Sequence, residues 1–428
     1  MRESRSPWAW VPTLYFAEGV PYVAVMTVSL IMYKRLGLSN ADITLYTSWL
    51  YLPWVIKPFW SPFVDVLRTK RWWVVAMQLL IGASLGGVAF TIPTSFWLQG
   101  SLCFFWLMAF ASATHDIAAD GFYMLGLNSH QQAWFVGIRS TFYRIATIFG
   151  QGMLVALAGV MAVLTRNVRF SWSLMFYFAA GLFIALWLWH SWALPRPEED
   201  KGKRQGDIAM ELWKSVKTFF QKPQWIIGIS FMLFYRMPEG LLAKISTLFL
   251  VDAGHNGGLG LGDQEYGLVQ GTVGIIGLTL GGILGGMAAS KDGLRKWLWP
   301  MVFAITLPDL IYVYLSYSMP SELGIISTCV FIEQFGYGFG FAAYMLYLIY
   351  YSRGEHKTSH YAICTAFMAL SMMIPGLFAG ALQEMVGYRL FFIIVTASCL
   401  ITFVVSSLLD IDPDFGKKDV EGGKKDGR

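Results

Sequence analysis

The stretch Tyr15-Phe16-Ala17-Glu18-Gly19-Val20-Pro21-Tyr22 stands near the middle of the first long apolar segment of the chain. It places an acid, a helix-loosening glycine and a proline at bilayer depth. A carboxylate there is expensive and marks a functional site by default. A fainter copy, Tyr235-Arg236-Met237-Pro238-Glu239-Gly240, follows at an offset of 221 residues (239 minus 18). The same offset carries Gly19 onto Gly240 and Asp42 onto Asp263. Two related halves, each opening with a buried glutamate in a loosened helix, point to an all-α membrane fold with a site near the midplane.

Composition agrees. Of 428 residues, 56% are hydrophobic and 14% charged, with a mean hydropathy of +0.51. A soluble chain carries about 25% charged residues, so the chain reads as a polytopic membrane protein. Its 18 Trp, 20 Tyr and 32 Phe suit lipid-facing surfaces and interfacial belts. No cleavable signal peptide is expected, because the first apolar run is long enough to span. The formal charge of +5 comes mostly from loops and tail, which argues against nucleic-acid binding. Cys103, Cys329, Cys364 and Cys399 all fall in apolar segments without metal-binding spacing and read as small packing residues.

Twelve runs are long enough to cross about 30 Å of hydrocarbon. They cover 9–32, 43–64, 72–93, 96–125, 134–163, 171–193, 224–251, 265–289, 297–317, 323–352, 361–383 and 389–409. If both termini are cytoplasmic, 22 of the 32 Lys and Arg fall inside, five fall outside (Lys34, Arg35, Arg166, Arg169, Arg389) and five lie within spans. The positive-inside rule selects that topology. The expected organisation is a six-helix bundle over 1–194, a cytoplasmic linker over 195–222 with an amphipathic helix at 208–220, a second bundle over 223–410, and a disordered cytoplasmic tail over 411–428. Glycine pairs at spacing four, such as Gly82/Gly86, Gly277/Gly281, Gly281/Gly285 and Gly336/Gly340, read as close helix contacts.

The ionisable residues inside spans define the candidate site. Asp116 and Asp120 are four apart and share a helix face. Two such acids resist ionising together, as a proton carrier requires; the alternative is a structural ion pair with Arg139 or Arg144 on the next span. His115 points off that face, as a satisfied core residue or a shuttle. Arg144 and Gln151 are seven apart and face one way, and a guanidinium suits carboxylate or phosphate. Arg139 could instead pair with Asp120 or snorkel. In the second half, Arg236, Glu239 and Lys244 either neutralise one another or frame a cavity opposite Glu18. Lys57 and Glu333 complete the set, whereas Asp309 reads as structural. The expected proton-coupling set is thus Glu18, Asp116, Asp120, Glu239 and Glu333. The expected substrate contacts are Tyr22, Lys57, Arg139, Tyr143, Arg144, Gln151, Arg236 and Lys244. Asp65 and Arg68 are expected to latch a gate.

Pro62-Phe63-Val64-Asp65-Val66-Leu67-Arg68-Thr69-Lys70-Arg71 resembles the loop 2–3 signature of the major facilitator superfamily, without its leading glycine. An echo runs from Gly286 to Lys296. Tyr15–Tyr22, Ala113-Thr114-His115-Asp116-Ile117-Ala118-Ala119-Asp120, and Gly137-Ile138-Arg139 with Tyr143-Arg144 together resemble the muropeptide permease (AmpG-like) and acetyl-CoA transporter family within it. His115 stands where that family commonly has Gln, and the two extra spans of the enterobacterial permeases are missing. The resemblance implies twelve helices in two bundles, with spans 1, 2, 4, 5, 7, 8, 10 and 11 around a cavity. It also implies proton-coupled import of anhydro-muropeptides across the inner membrane by a monomer. A CoA thioester, siderophore or peptide remains an alternative cargo, and a membrane enzyme or sensor an alternative class.

Two enzyme-like matches weigh little. Gly82-Ala83-Ser84-Leu85-Gly86 fits GxSxG but lacks a His partner and a strand-to-helix elbow. Gly260-Leu261-Gly262-Asp263 fits GxGD, yet Asp263 falls in a loop and reads as a helix N-cap paired by the repeat with Asp42. No GxxxxGK[ST] is present, and nothing calls for a metal, a cofactor or a partner subunit.

Overall fold

The computed structural model describes residues 6–197, 200, 208–354, 357–413 and 415. Every element assigned there is helical. Ten described helices are individually long and apolar enough to cross a membrane. The last of them, Ser359–Ser407, has 49 residues. At about 1.5 Å per residue it is more than twice a bilayer core. It reverses at Gly387, whose φ of 76° and ψ of 165° lie outside the helical region, so it counts as spans 11 and 12. Span 2 is missing from the ten because it is split into Asn40–Trp49 and Leu52–Leu67. Pro53 explains the split: it has no N–H and its ring clashes one turn back. The crossings therefore number twelve.

The others are span 1 (Pro7–Arg35), span 3 (Lys70–Thr91), span 4 (Trp97–Gly126), span 5 (Ser129–Thr147 and Val155–Thr165 joined by a π turn) and span 6 (Val168–Ala193). Span 7 is Trp225–Val251, span 8 Asp263–Asp292, span 9 Leu294–Ser318 and span 10 Leu323–Tyr351. The amphipathic helix Ile208–Phe220 lies between the bundles in sequence. Its Phe219 is buried against Tyr351, His360 and Phe367, which ties it to the second bundle. The chain enters beside this helix and also leaves there, and that side is called the linker face below. The opposite side is the far face.

The tail expected from 411 begins as packed chain. Ile411 and Phe415 are buried, and Leu294 N–H donates to the Phe415 carbonyl at 3.0 Å. Residues 416–428 lie outside the described residues, as does most of the linker's charged run. Asp200 is an exception: its carboxylate accepts the Lys70 and Arg71 N–H groups at 2.6 and 3.0 Å, so the linker caps span 3.

The sequence repeat is real in space. Span 1 stays helical through Gly19 and Pro21 and relaxes into a π turn at Ala24–Val28. Span 7 breaks at Tyr235–Arg236 and restarts at Met237 with Pro238 in its first turn. A Cβ on Gly19 would stand 2.7 Å from Ala146 Cβ on span 5, and one on Gly240 would stand 2.7 Å from the Ser371 carbonyl on span 11. Each glycine thus seats the first helix of its bundle on the fifth.

Spacing-four glycines also weld spans 8 and 10. A Cβ on Gly281 would lie 2.0 Å from the Phe335 carbonyl oxygen, whereas one on Gly286 meets nothing within 4 Å. Overpacking of this kind costs about 1–3 kcal/mol. Gly281→Val is therefore expected to lower the unfolding temperature of the purified protein, and Gly286→Val to leave it unchanged, as read by intrinsic fluorescence.

Candidate functional site

Between the bundles lies a cavity of about 990 Å³. It is lined by Tyr22, Tyr51, Asp116, Arg139, Arg236, Gln270, Gln334 and Tyr361, which represent spans 1, 2, 4, 5, 7, 8, 10 and 11 in turn. At the linker face it is bordered by Arg68, Lys70 and Asp200. Toward the far face the bundles close. There Gly271 on span 8 meets Gly152 on span 5, and Gly380 on span 11 meets Asn40 on span 2, each too tightly for a Cβ.

In the first bundle Asp116 and Asp120 both face the cavity, as their spacing on one helix face demands. Lys57 on span 2 holds Asp116 in an ion pair. Arg139 Nη2 lies 3.0 Å from Asp120 Oδ1, which also accepts from Tyr15 Oη at 3.1 Å. The Arg139 guanidinium stacks 4.5 Å from the Tyr15 ring centroid and 5.1 Å from that of Tyr123. So Asp120 and Arg139 take the pairing alternative while still lining the cavity. Glu18 lies behind this surface rather than on it. Its charged neighbours are Asp116, Asp120, Arg139 and Lys57, but its buried Oε2 has no hydrogen-bond partner. Two pairs consume both cations, and Glu18 is the acid left over.

His115 belongs to a different network. It is fully buried, and its Nε2 meets Gln78 Nε2 at 3.0 Å; Gln78 Oε1 meets His190 Nδ1 at 3.0 Å. His190 Nε2 reaches Thr13 Oγ1 at 2.9 Å. That chain ties spans 4, 3, 6 and 1 together, the satisfied-core role apart from an unpartnered Nδ1 on His115.

Arg144, one turn deeper than Arg139, lines the cavity and makes no ion pair or hydrogen bond with any described residue. Gln151 lines it too, donating to Thr27 Oγ1 at 3.3 Å. Tyr22 and Tyr143 share the same wall, with Tyr22 packed edge-on against Trp54 at 5.3 Å. Across the cavity, Arg236 donates to Tyr337 Oη and lies 4.7 Å from the Phe341 centroid and 5.6 Å from that of Tyr344.

Two expectations need correction. Lys244 does not line the cavity. It is buried between the bundles and donates to Thr47 Oγ1 and Ser48 Oγ at 2.8 Å each, because span 7 packs its far half on span 2. Glu333 is also outside the cavity, 2% exposed, bonded to Gln334 Nε2 at 2.9 Å and Tyr312 Oη at 3.4 Å. Asp309, read as structural, is turned inward and has its carboxylate within 4.8 Å of those of Glu239 and Glu333. A 3-10 turn at Leu307–Asp309 turns it inward, and Gly336 lets span 9 approach span 10 so closely that a Cβ would be 2.3 Å from the Ala304 carbonyl. The Asp65 side chain lies outside the described residues, so the Asp65–Arg68 latch has no geometry here; Arg68 stacks over Trp72 at 5.8 Å.

The far-face lock is made of residues the sequence reading left as loop charges. Lys34 pairs with Asp252 at 2.8 Å and Arg35 with Asp263 at 2.6 Å, both across the bundles. Arg35 Nη2 also donates to the Leu261 carbonyl at 2.7 Å. The helix caps fall earlier than expected, at Ser39 three residues before Asp42 and at Gly262 one before Asp263: Ser39 Oγ accepts from Asp42 N–H, and Glu265 accepts from the Gly262 N–H. Asp263 is thus released for Arg35. Ser84 of the GxSxG match is buried and donates to the Leu80 carbonyl at 2.7 Å.

Comparisons with known proteins agree with this geometry. The Major Facilitator Superfamily model matches residues 244–427, and the BT1 family model matches residues 18–166. The chain is a major facilitator superfamily transporter. It is a multi-pass membrane protein and a secondary transporter, not an enzyme. A relative named "Putative transporter AmpG 4" from Rickettsia conorii is 24% identical over 394 residues, 89% of this chain and 91% of its own length. The anhydromuropeptide permease of Escherichia coli K12 is 24% identical over 405 residues, 90% of this chain and 76% of its own. A bacterial homologue of the human lysosomal transporter Spinster superposes with a TM-score of 0.69 at 15% identity, covering 95% of this chain and 96% of its own.

The far-face lock has a calculable pH dependence. Burial pushes the Asp252 carboxyl up, but hydrogen bonds from Lys34, Asn256 and Tyr388 outweigh it and hold the group below its ordinary value of 3.8. A depressed carboxylate contributes fully above its ordinary value and is lost as pH falls through the lowered one. Far-face closure is therefore expected to be insensitive to pH from neutrality to about 4 and to loosen only below that. Asp252→Asn should loosen it at pH 7. The distance between spin labels attached at neutral pH to the far-face ends of the two bundles measures both.

Proposed function

We propose that this transporter sits in the inner membrane with both termini cytoplasmic and imports an anionic, peptide-bearing sugar together with protons, by alternating access. The orientation rests on the basic residues, which crowd the linker face. With that face inside, the cavity described above is the inward-open state, ready for release.

The observation that carries the reading is Arg144. A guanidinium facing a large cavity without a partner is costly unless a ligand supplies one. Its five donors in a planar fork suit a carboxylate bidentately. The cavity of about 990 Å³ is at the upper end for small-molecule sites. Its wall mixes cations with Tyr22, Trp54, Tyr143 and Tyr337, a surface on which sugar faces stack and hydroxyls bond. The names of the relatives supply the cargo class, a peptidoglycan fragment.

Coupling follows from the charge count. Lys57 and Asp116 are each about a quarter exposed (26% and 22%), so their pair is cheaper to break than a fully buried one. A proton on Glu18 removes the unmatched acid beside them and frees Lys57 and Arg139 to rearrange around substrate. That gives the two gate states different affinities for protons and cargo, the condition for coupled movement.

In proteoliposomes, uptake of labelled anhydro-muropeptide is expected to need an inward proton gradient. Hydrogen bonds to charged groups are worth about 1.5–3 kcal/mol, so Arg144→Gln should cut uptake roughly 10- to 100-fold, with Arg144→Lys recovering part. Competition by CoA esters or nucleotides but not by cell-wall fragments would replace the cargo. Glu18→Gln should retain substrate exchange while losing gradient-driven accumulation; full accumulation in that variant would remove Glu18 from the coupling.

A further inference from the structure

We propose that Glu239, Asp309 and Glu333 form a binding site for a small hard metal cation, of the size of Na+ or Ca2+, inside the second bundle. Their carboxylate oxygens converge within 4.8 Å of one another from spans 7, 9 and 10. All three residues are buried, at 9%, 4% and 2% exposure.

Glu239 is the telling member. It is nine-tenths buried yet makes no hydrogen bond or ion pair with any described residue. Its side chain borders a small pocket of about 10 Å³ shared with Asp309, Thr306 and Cys399 though not with Glu333, room for one water-sized sphere. The cation whose charge reaches it, Arg236 three residues earlier, makes no ion pair with it and is turned into the rings of Tyr337, Phe341 and Tyr344. The other two acids are held in place rather than neutralised. Cys399 Sγ donates to Asp309 Oδ2 at 3.2 Å, and Gln334 and Tyr312 donate to Glu333. Those donors leave free lone pairs on each carboxylate.

Three carboxylates without a cation partner in hydrocarbon must take up positive charge from outside. Oxygen donors select a hard ion. Bonds of about 2.3–2.6 Å put ligands at most about 4.6–5.2 Å apart, so three oxygens within 4.8 Å of one another can share one such ion; Mg2+ holds its own waters more tightly and is the less expected occupant. The backbone is loosened where the ligands enter, at the span 7 break and the 3-10 turn of span 9, as expected where transporters coordinate ions. Glu239 also lines the central cavity, so the ion has a path from it and is felt there as charge.

The test uses the full chain purified in detergent at pH 8, without cargo, so its outcome does not depend on which solute is carried. Thermal unfolding is followed in choline chloride while NaCl, CaCl2 or MgCl2 is titrated in at constant ionic strength. A saturable rise in Tm with Na+ or Ca2+ is expected, and Glu239→Gln should weaken it at least about tenfold. On the wild type, the same ion should protect Glu239 and Asp309 from dicyclohexylcarbodiimide, as read by peptide mass, and this arm needs no variant to fold. No metal-dependent rise and no protection, with a rise on acidification alone, would make this a proton site and overturn the proposal. A rise that survives unchanged in Glu239→Gln and in Asp309→Asn would place the ion elsewhere and overturn it equally.

Discussion

Lys57 and Asp116 hold each other across spans 2 and 4 at the wall of the central cavity, and much of the molecule is arranged around the need for such matches. Charge in the hydrocarbon layer is tolerated only when paired or wet. The first bundle meets that condition by pairing: Lys57 with Asp116, Arg139 with Asp120 and two tyrosine rings. Those pairs draw spans 2, 4 and 5 onto one surface. What they leave over is Glu18 behind the surface and Arg144 on it, the two groups on which the proposed function turns. Arg144 differs from Arg236 in this respect, because Arg236 is engaged by a hydroxyl and aromatic faces, with only its buried Nε unpartnered among the described residues.

Closure of the far face uses two kinds of contact that are cheap to make and to undo. The ion pairs of Lys34 and Arg35 are partly exposed, with cation side chains 16% and 26% accessible, so solvent lowers the cost of parting them. The glycine contact at Gly271 brings backbone against backbone, and at Gly380 the backbone N–H donates to Thr44 Oγ1 at 3.0 Å. Within the second bundle the opposite holds: Gly281 and Gly338 lock spans 8 and 10 so tightly that neither can slide without clash. A stiff bundle meeting its neighbour at a softer interface suits the alternating access proposed above.

The twelve crossings, the two bundles and the internal repeat were legible because each depends on local chemistry: apolar length, basic loops, and Glu-Gly with a nearby Pro. The pairing of Asp120 with Arg139 was legible as one of two options, since both lie near the same end of adjacent spans. Other contacts were not. Lys34 and Asp252 are 218 residues apart, and Asn40 and Gln383 are 343 apart; no periodicity announces a partner at such range. Asp309 looked structural because its span lies outside the cavity ring. Only the 3-10 turn, together with a glycine on the facing helix, turns it inward, and those two features are unremarkable singly. Lys244 misled for the converse reason: it follows a cavity residue by five positions, and on a helix that carries it to another face, against Thr47 and Ser48.

The repeat also shows where symmetry stops. Gly19 and Gly240 do the same job, seating a first helix on a fifth, so the backbone of the two halves follows one plan. The glutamates beside them do not share a job. Glu18 has two acids and two cations, Lys57 and Arg139, among its charged neighbours, whereas Glu239 has Glu333 and Asp309 against the single cation Arg236. On the function proposed above, neutralising Glu18 would let go of cations that can turn to an anionic solute, while neutralising Glu239 would relieve repulsion among acids and draw spans 7, 9 and 10 together. A carrier with both arrangements can load cargo on one bundle and a small cation on the other. The two events then communicate through the cavity that Glu239 and Arg144 both face, with no need for a wire through the helices.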